Sequence, residues 1–227
     1  MTTEAERRHS PQLKAVIFDY GEVLCFPPTQ SEIARMADIF GVNPDHFRSL
    51  YEKNRLAYDR GDLEAEGYWA AFAADAGTKL KPDQVKKLRA WDTEMWSKLN
   101  PVMLEWLAAL QSAGVKTAIL SNMQSDMVNH VRRSFPWVGK FHHAVFSHEV
   151  RLAKPEPAIY EHCLRGLGTA PPETLFIDDR QRNVKAAEAL GIQTIHMKSV
   201  AQLRAELDAR GFTILPRMVE TAPLVSQ

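Results

Sequence analysis

Five short apolar runs punctuate the chain, and the longer ones are near-continuous rather than alternating with polar residues as a half-exposed strand would. They are Lys14–Asp19 (KAVIFD), Lys116–Asn122 (KTAILSN), His142–Ser147 (HHAVFS), Leu175–Asp179 (LFIDD) and the shorter Thr194–Met197 (TIHM). A strand that is apolar on both faces is buried on both faces, which is the condition inside a parallel sheet covered by helices. Helical stretches are expected at about 102–113, 124–134, 155–167, 182–190 and 199–210. Gly114, Gly168, Gly191 and Gly211 follow several of them as C-terminal caps. The pattern predicts an α/β fold with a doubly wound parallel sheet.

One interval breaks the rhythm. Almost a hundred residues separate the first run from the second, far more than one crossover needs. The interval carries helical apolar spacing, with Ile33, Met36, Ala37 and Phe40, then Tyr68, Trp69, Phe72 and Ala73. It reads as an inserted α-helical cap domain over 27–98, hinged at Pro27-Pro28 and Asn100-Pro101. The core is then discontinuous, 13–26 and 99–213, with mobile tails expected at 1–12 and 214–227.

Composition excludes several alternatives. With 227 residues, 45% hydrophobic and 25% charged, the chain has an ordinary globular make-up. Lys+Arg and Asp+Glu both total 28, so no charge excess points to nucleic acid or to a membrane surface. Two cysteines, Cys25 and Cys163, make no disulfide framework and point to a reducing compartment. No apolar run approaches the roughly 20 residues that span a bilayer. Residues 1–12 lack the apolar core of a secretory signal. The expectation is a cytoplasmic protein, monomeric or homodimeric.

The polar residues that close the runs carry the chemistry. Asp19, Ser121-Asn122 and Asp178-Asp179 each end a different strand, and in open parallel sheets ligands sit beyond the strands' carboxyl ends. Lys154, in LAKPEP, follows the third strand by a short loop and can reach the same edge. Three gathered carboxylates repel one another unless a cation joins them. Magnesium takes oxygen ligands, commonly one or two carboxylates together with substrate phosphate oxygens. A metal between Asp19 and Asp179 is the economical reading. A carboxylate can also attack phosphorus as a covalent nucleophile. Ser121, Asn122 and Lys154 could then supply the positioning and charge stabilisation that phosphoryl transfer needs.

These four elements resemble the signature of the haloacid dehalogenase superfamily: FDYGEVL (Phe18–Leu24), LSN (Leu120–Asn122), LAKPEP (Leu152–Pro157) and IDDRQRN (Ile177–Asn183), in order across about 13–200. The insertion between the first two, with GDLEAEGYW (Gly61–Trp69), resembles the family's helical class 1 cap on a Rossmann-like core. The resemblance implies Asp19 as nucleophile and metal ligand, and Gly21 as a metal ligand through its carbonyl. It implies that Ser121 and Asn122 hold the transferring phosphoryl group and that Lys154 neutralises charge beside it. Asp179 would bind Mg2+ directly, and Asp178 directly or through water. The substrate implied is a small phosphorylated metabolite, with sugar phosphates one class among the relatives.

The chain departs from that pattern at one position. Most phosphatases of the family carry a second aspartate two residues after the nucleophile as general acid and base, and here that residue is Gly21. Losing such a group costs about 10²–10⁴ in rate. Glu22 stands next in line; an exposed loop glutamate is the competing reading, and Gly21 could be there for a positive φ. Other assignments also compete. Ser121-Asn122 could cap the 124–134 helix, Lys154 could merely start a helix, and Asp178 could be a structural acceptor. Trp69, Trp91 and Trp96 read as packing, Cys25 as a small buried residue, and the histidines lack zinc-ligand spacing. A metal-independent 2-haloacid dehalogenase and a weakly active regulatory protein are the alternative functions. The Asp178-Asp179 pair weighs against the first, and the retained nucleophile and lysine against the second.

Overall fold

The computed structural model of the chain describes residues 13–212 and 215–218. The five runs form β1 (Ala15–Phe18), β2 (Lys116–Ser121), β3 (His143–Phe146), β4 (Thr174–Asp178) and β5 (Gln193–His196). They pair in parallel in the order β3-β2-β1-β4-β5. The chain leaves β1 toward β2 and β3 on one side, then returns to place β4 and β5 on the other. The β1/β4 boundary is thus a topological switch point, where the connections diverge and leave a crevice.

Both faces of the sheet are covered, as continuous apolar strands require. Successive side chains alternate between faces, so Val16 and Phe18 pack with Met103, Trp106 and Leu110 of the helix Pro101–Ser112, and with Leu203 of Val200–Ala209. Ala15 and Ile17 pack with Ile159, Tyr160, Cys163 and Leu167 of the helix Pro157–Leu167, and with Ala187 of Gln181–Glu188. That first helix begins at Pro157 rather than 155, with proline at its first turn, where no backbone N–H is needed. Gly168 closes it in the left-handed conformation (φ 62°), which a glycine adopts without a Cβ clash.

Five helices lie between β1 and the helix Pro101–Ser112 that precedes β2: Gln30–Phe40, Pro44–Lys53, Arg55–Arg60, Ala65–Asp75 and Pro82–Met95. Thr29 starts the first through a capping box with Glu32, and Asn43 caps the second. Their apolar faces close on a cluster of their own, in which Phe40, Phe47, Trp69 and Phe72 stack around one another. The paths into and out of this insert run side by side. Cys25 and Leu99 form an antiparallel bridge, Phe26 N donates to Lys98 O at 2.7 Å, and Asn100 N donates to Leu24 O at 2.9 Å. Polar contacts tie the insert to the core: Arg89 grips Asp126 with Nε and Nη2 at 2.7 and 2.8 Å, and Arg180 grips Glu52 with both terminal nitrogens at 3.1 Å.

The expected tail at 214–227 starts as an anchored segment. Leu215 and Met218 are buried against the sheet-covering layer, and Trp106 Nε1 donates to Pro216 O at 2.8 Å. Apolar surface on both residues makes burial favourable. The remainder of that tail, and the expected arm at 1–12, lie outside the described residues. Among the described residues, no helix is long and apolar enough to cross a membrane.

Candidate active site

β1 and β4 lie side by side, so Asp19, just beyond β1, and Asp178, the last residue of β4, reach the same crevice. Lys154 enters between them from the loop after β3. Its Nζ lies 2.8 Å from Asp19 Oδ1 and 2.7 Å from Asp178 Oδ2, and the side chain is 1% exposed. Burial disfavours the charged form of such a lysine, yet the two carboxylates outweigh it and hold Lys154 above its ordinary range. One ammonium thus answers two carboxylates.

Asp178 is fully engaged. Besides Lys154 it accepts from Arg180 N at 2.8 Å and from Asn183 Nδ2 at 3.0 and 3.1 Å. Asp19 Oδ1 also accepts from Tyr20 N at 2.7 Å. Oδ2 of Asp19 accepts no hydrogen bond among the described residues. Asp179 lies across the crevice, and one carboxylate oxygen from each of Asp19, Asp178 and Asp179 falls within 4.8 Å of the others. Burial first, then Asp19 and Asp178, push Asp179 up to about 8; burial likewise raises Asp19 against the pull of Lys154. The cluster carries more negative charge than Lys154 neutralises. An all-oxygen donor set short of positive charge suits a hard divalent cation.

Ser121 ends β2, is 3% exposed and lines the cavity. Asn122 lines it too, but its amide is committed elsewhere: Nδ2 donates to Lys154 O and Oδ1 accepts from Lys154 N, both at 2.8 Å. The amide pins the lysine loop with one of its two N–H groups. Neither Ser121 nor Asn122 caps the next helix, because Gln124 does so by accepting from Met127 N at 3.0 Å. Gly21 and Glu22 both line the cavity. The positive φ considered for Gly21 is found one residue later, at Glu22 (φ 56°), which is exposed. A Cβ added at Gly21 would meet only Trp96 Cζ3 at 3.6 Å, an ordinary contact. Cys25 is buried, and burial pushes its thiol up to about 12, away from the thiolate form that a cysteine nucleophile uses.

The helical insert forms the cavity's opposite wall with Tyr51, Glu52, Arg55, Leu56, Asp59 and Trp96. Arg55 Nε donates to Asp59 Oδ1 at 2.9 Å, and its Nη1 reaches both oxygens of Asp92 at 3.0 Å. Tyr51 Oη donates to Asp92 and accepts from Arg55. Tyr20 Oη donates to Trp96 O at 2.7 Å, joining the turn after β1 to this wall.

The haloacid dehalogenase-like hydrolase family matches residues 13–191. The chain belongs to that family. This hydrolase is 24% identical over 200 residues to (S)-2-haloacid dehalogenase 1 of Pseudomonas sp. (strain CBS-3), covering 83% of this chain and 86% of that protein. It is 24% identical over 187 residues to the sesquiterpene phosphatase astK of Aspergillus oryzae, covering 81% and 89%. Other curated relatives are longer, and the chain spans 12%, 21% or 38% of their length. Among solved structures, a HAD family enzyme of Bacteroides thetaiotaomicron in complex with magnesium and inorganic phosphate superposes with a TM-score of 0.67 at 23% identity. The match covers 84% of this chain and 98% of that one. At such identity the structural likeness establishes the fold.

Sequence reasoning brought Asp19, Ser121, Asn122, Lys154, Asp178 and Asp179 of this hydrolase to one edge. It missed Arg55 and Asp59 on the cavity wall, with Asp92 bonded to Arg55, and it read Trp96, which lines the cavity, as packing. A signal was present: Tyr51, Arg55, Tyr58 and Asp59 recur at helical spacing, a stripe that mixes aromatics with opposite charges.

Proposed function

We propose that this hydrolase is a magnesium-dependent phosphatase acting on a small phosphorylated metabolite, with Asp19 as covalent nucleophile. The observation that carries the reading is the convergence of Asp19, Asp178 and Asp179 on one point beside a single ammonium. Asp19, Asp179 and the Gly21 carbonyl would hold the ion. When bound, magnesium supplies positive charge to the phosphoryl oxygens. The chain's own residues do the rest. Asp19 Oδ2, the oxygen without a partner, attacks phosphorus while the ester P–O bond breaks and the leaving oxygen gains a proton. Water then attacks the aspartyl-phosphate, its P–O bond to Asp19 breaks, and phosphate leaves. Lys154 balances charge beside the transferring group, and the Ser121 hydroxyl donates to it. Asp178, saturated by Lys154, Asn183 and Arg180, holds the lysine in place.

A second reading, hydrolysis of 2-haloacids, has Gly21 in its favour, because displacement of halide needs no proton donor at that position. A panel of phosphorylated metabolites, sugar phosphates first, assayed with magnesium and with chelator, separates the two. Phosphate release that stops with chelator is the expected result. Chelator-resistant release of halide from 2-chloropropionate would overturn the phosphatase reading.

A further inference from the structure

Gly21 leaves the proposed reaction without a proton donor for the leaving oxygen, and the opposite wall of the cavity carries a carboxyl that the mechanism has not used. In phosphoryl transfer the attacking and leaving oxygens lie roughly in line through phosphorus. With Asp19 attacking from the sheet edge, the leaving oxygen points away from it, toward the helical insert. Asp59 stands on that wall, in the helix Arg55–Arg60, and lines the cavity shared with Asp19, Ser121 and Asp179. Its place is fixed by the core. Buried Ser147 Oγ donates to Asp59 O at 2.5 Å and accepts from Met123 N at 2.9 Å, so Asp59 sits two hydrogen bonds from the turn after Ser121-Asn122.

We propose, on the phosphatase reading above, that Asp59 is the proton donor to the leaving oxygen and the proton acceptor from the attacking water. The neutral carboxyl gives its proton to the oxygen as the ester P–O bond breaks, becoming carboxylate. It then takes a proton from water as that water attacks the aspartyl-phosphate, which restores the neutral acid.

The surroundings of Asp59 suit that cycle. Arg55 is shared by two buried carboxylates, and one cation cannot neutralise both. Asp92 has its oxygens occupied by Tyr51, Arg55 and Gln124, whereas Asp59 Oδ1 takes one donor, Arg55 Nε. Arg180 faces Asp59 from the loop after β4, and His148 from the helix Ser147–Val150 packs at neighbouring Gly61. Burial raises Asp59 most, Arg55 pulls it down and Asp92 pushes it up, leaving it near 7. A group poised there can serve as acid and base in turn.

The test compares an alkyl phosphate with 4-nitrophenyl phosphate, whose leaving group needs no proton. Asp59→Asn keeps the contact with Arg55 and should lower kcat/KM, which reads formation of the aspartyl-phosphate and not its hydrolysis, by about 10²-fold or more on the alkyl ester, with less than about a threefold change in kcat/KM on the aryl ester. A loss equal on both esters, or no loss, overturns the proposal. In the wild-type enzyme, which needs no variant to fold, kcat/KM on the alkyl ester should fall as pH rises through about 7 while kcat/KM on the aryl ester shows no such limb. Identical pH profiles overturn it as well. If the wild type hydrolyses neither ester in magnesium, the phosphatase reading itself falls and the role of Asp59 with it.

Discussion

Asn122 and Lys154 are joined twice, the side-chain amide of one accepting from the backbone N–H of the other and donating to its carbonyl, each at 2.8 Å. The pair locks the end of β2 to the loop after β3, and so fixes where the buried ammonium stands. Asn122→Ala removes both bonds and leaves two part-buried backbone groups without partners. That should destabilise the fold by roughly 1–3 kcal/mol. It should lower kcat more than it raises KM, since the displaced ammonium stabilises charge that develops in the transition state. Urea unfolding measures the first effect and steady-state kinetics the second; an unchanged stability would refute the pinning role.

Lys154 is the only cation in hydrogen-bond contact with Asp19 and Asp178 among the described residues. Lys154→Met leaves two buried carboxylates facing each other uncompensated. Breaking a buried ion pair from one side costs about 3–5 kcal/mol, and turnover should fall below detection. The loss of stability should be greatest at high pH and shrink as pH falls, because protonation of the carboxylates removes the charge left stranded. Unfolding curves at pH 5 and pH 8 decide it, and a pH-independent loss would count against the ion triad.

Metal and pH are linked through Asp179. In the metal-free protein its pKa is raised to about 8, chiefly by burial and then by Asp19 and Asp178. An acid raised in the folded state contributes stability below its unfolded pKa, near 4, and that contribution is lost as pH climbs to about 8. The metal-free protein should therefore lose stability from this group across that window. If Asp179 is a magnesium ligand, the ion binds its ionised form, so the rise in Tm on adding magnesium should be small at pH 5.5 and grow toward pH 8.5. Asp179→Asn should lower the magnesium-dependent increment at every pH. Differential scanning calorimetry with and without magnesium reads both; an increment that shrinks with rising pH would contradict the assignment.

The parts of this arrangement that were legible in the sequence are those written locally. β1, β2 and β4 are buried on both faces, so AVIF, TAILS and TLFID read as strands. The polar residue that closes each is where a parallel sheet delivers ligands. Ile33, Met36, Ala37 and Phe40 showed a helix because one face of it is buried. What stayed hidden depends on contacts between distant segments. The partner of the Asn122 amide is main chain 32 residues away. Asp59 faces the cavity because its carbonyl meets Ser147, 88 residues on. Leu215 looked like part of a tail because its burial depends on the helix that carries Trp106, not on any pattern of its own.

The residue two places after the nucleophile offers the sharpest probe of proton transfer. Gly21 does not have a positive φ, and a Cβ there would meet only Trp96 at 3.6 Å. Gly21→Asp is therefore expected to fold normally, whereas Glu22 beside it is exposed and left-handed (φ 56°). If Asp59 already supplies the proton, a second acid at position 21 adds little to the wild type. It adds much where Asp59 is missing. Gly21→Asp should thus raise kcat on an alkyl phosphate by less than about threefold in the wild type, and by about tenfold or more in Asp59→Asn, because it restores a general acid. Such a difference in the double-mutant cycle reports two groups doing the same task. Glu22→Gln should change kcat on the same ester by less than about threefold. Equal gains from Gly21→Asp in both backgrounds, or a large loss from Glu22→Gln, would place the proton donor at the nucleophile turn and not on the insert.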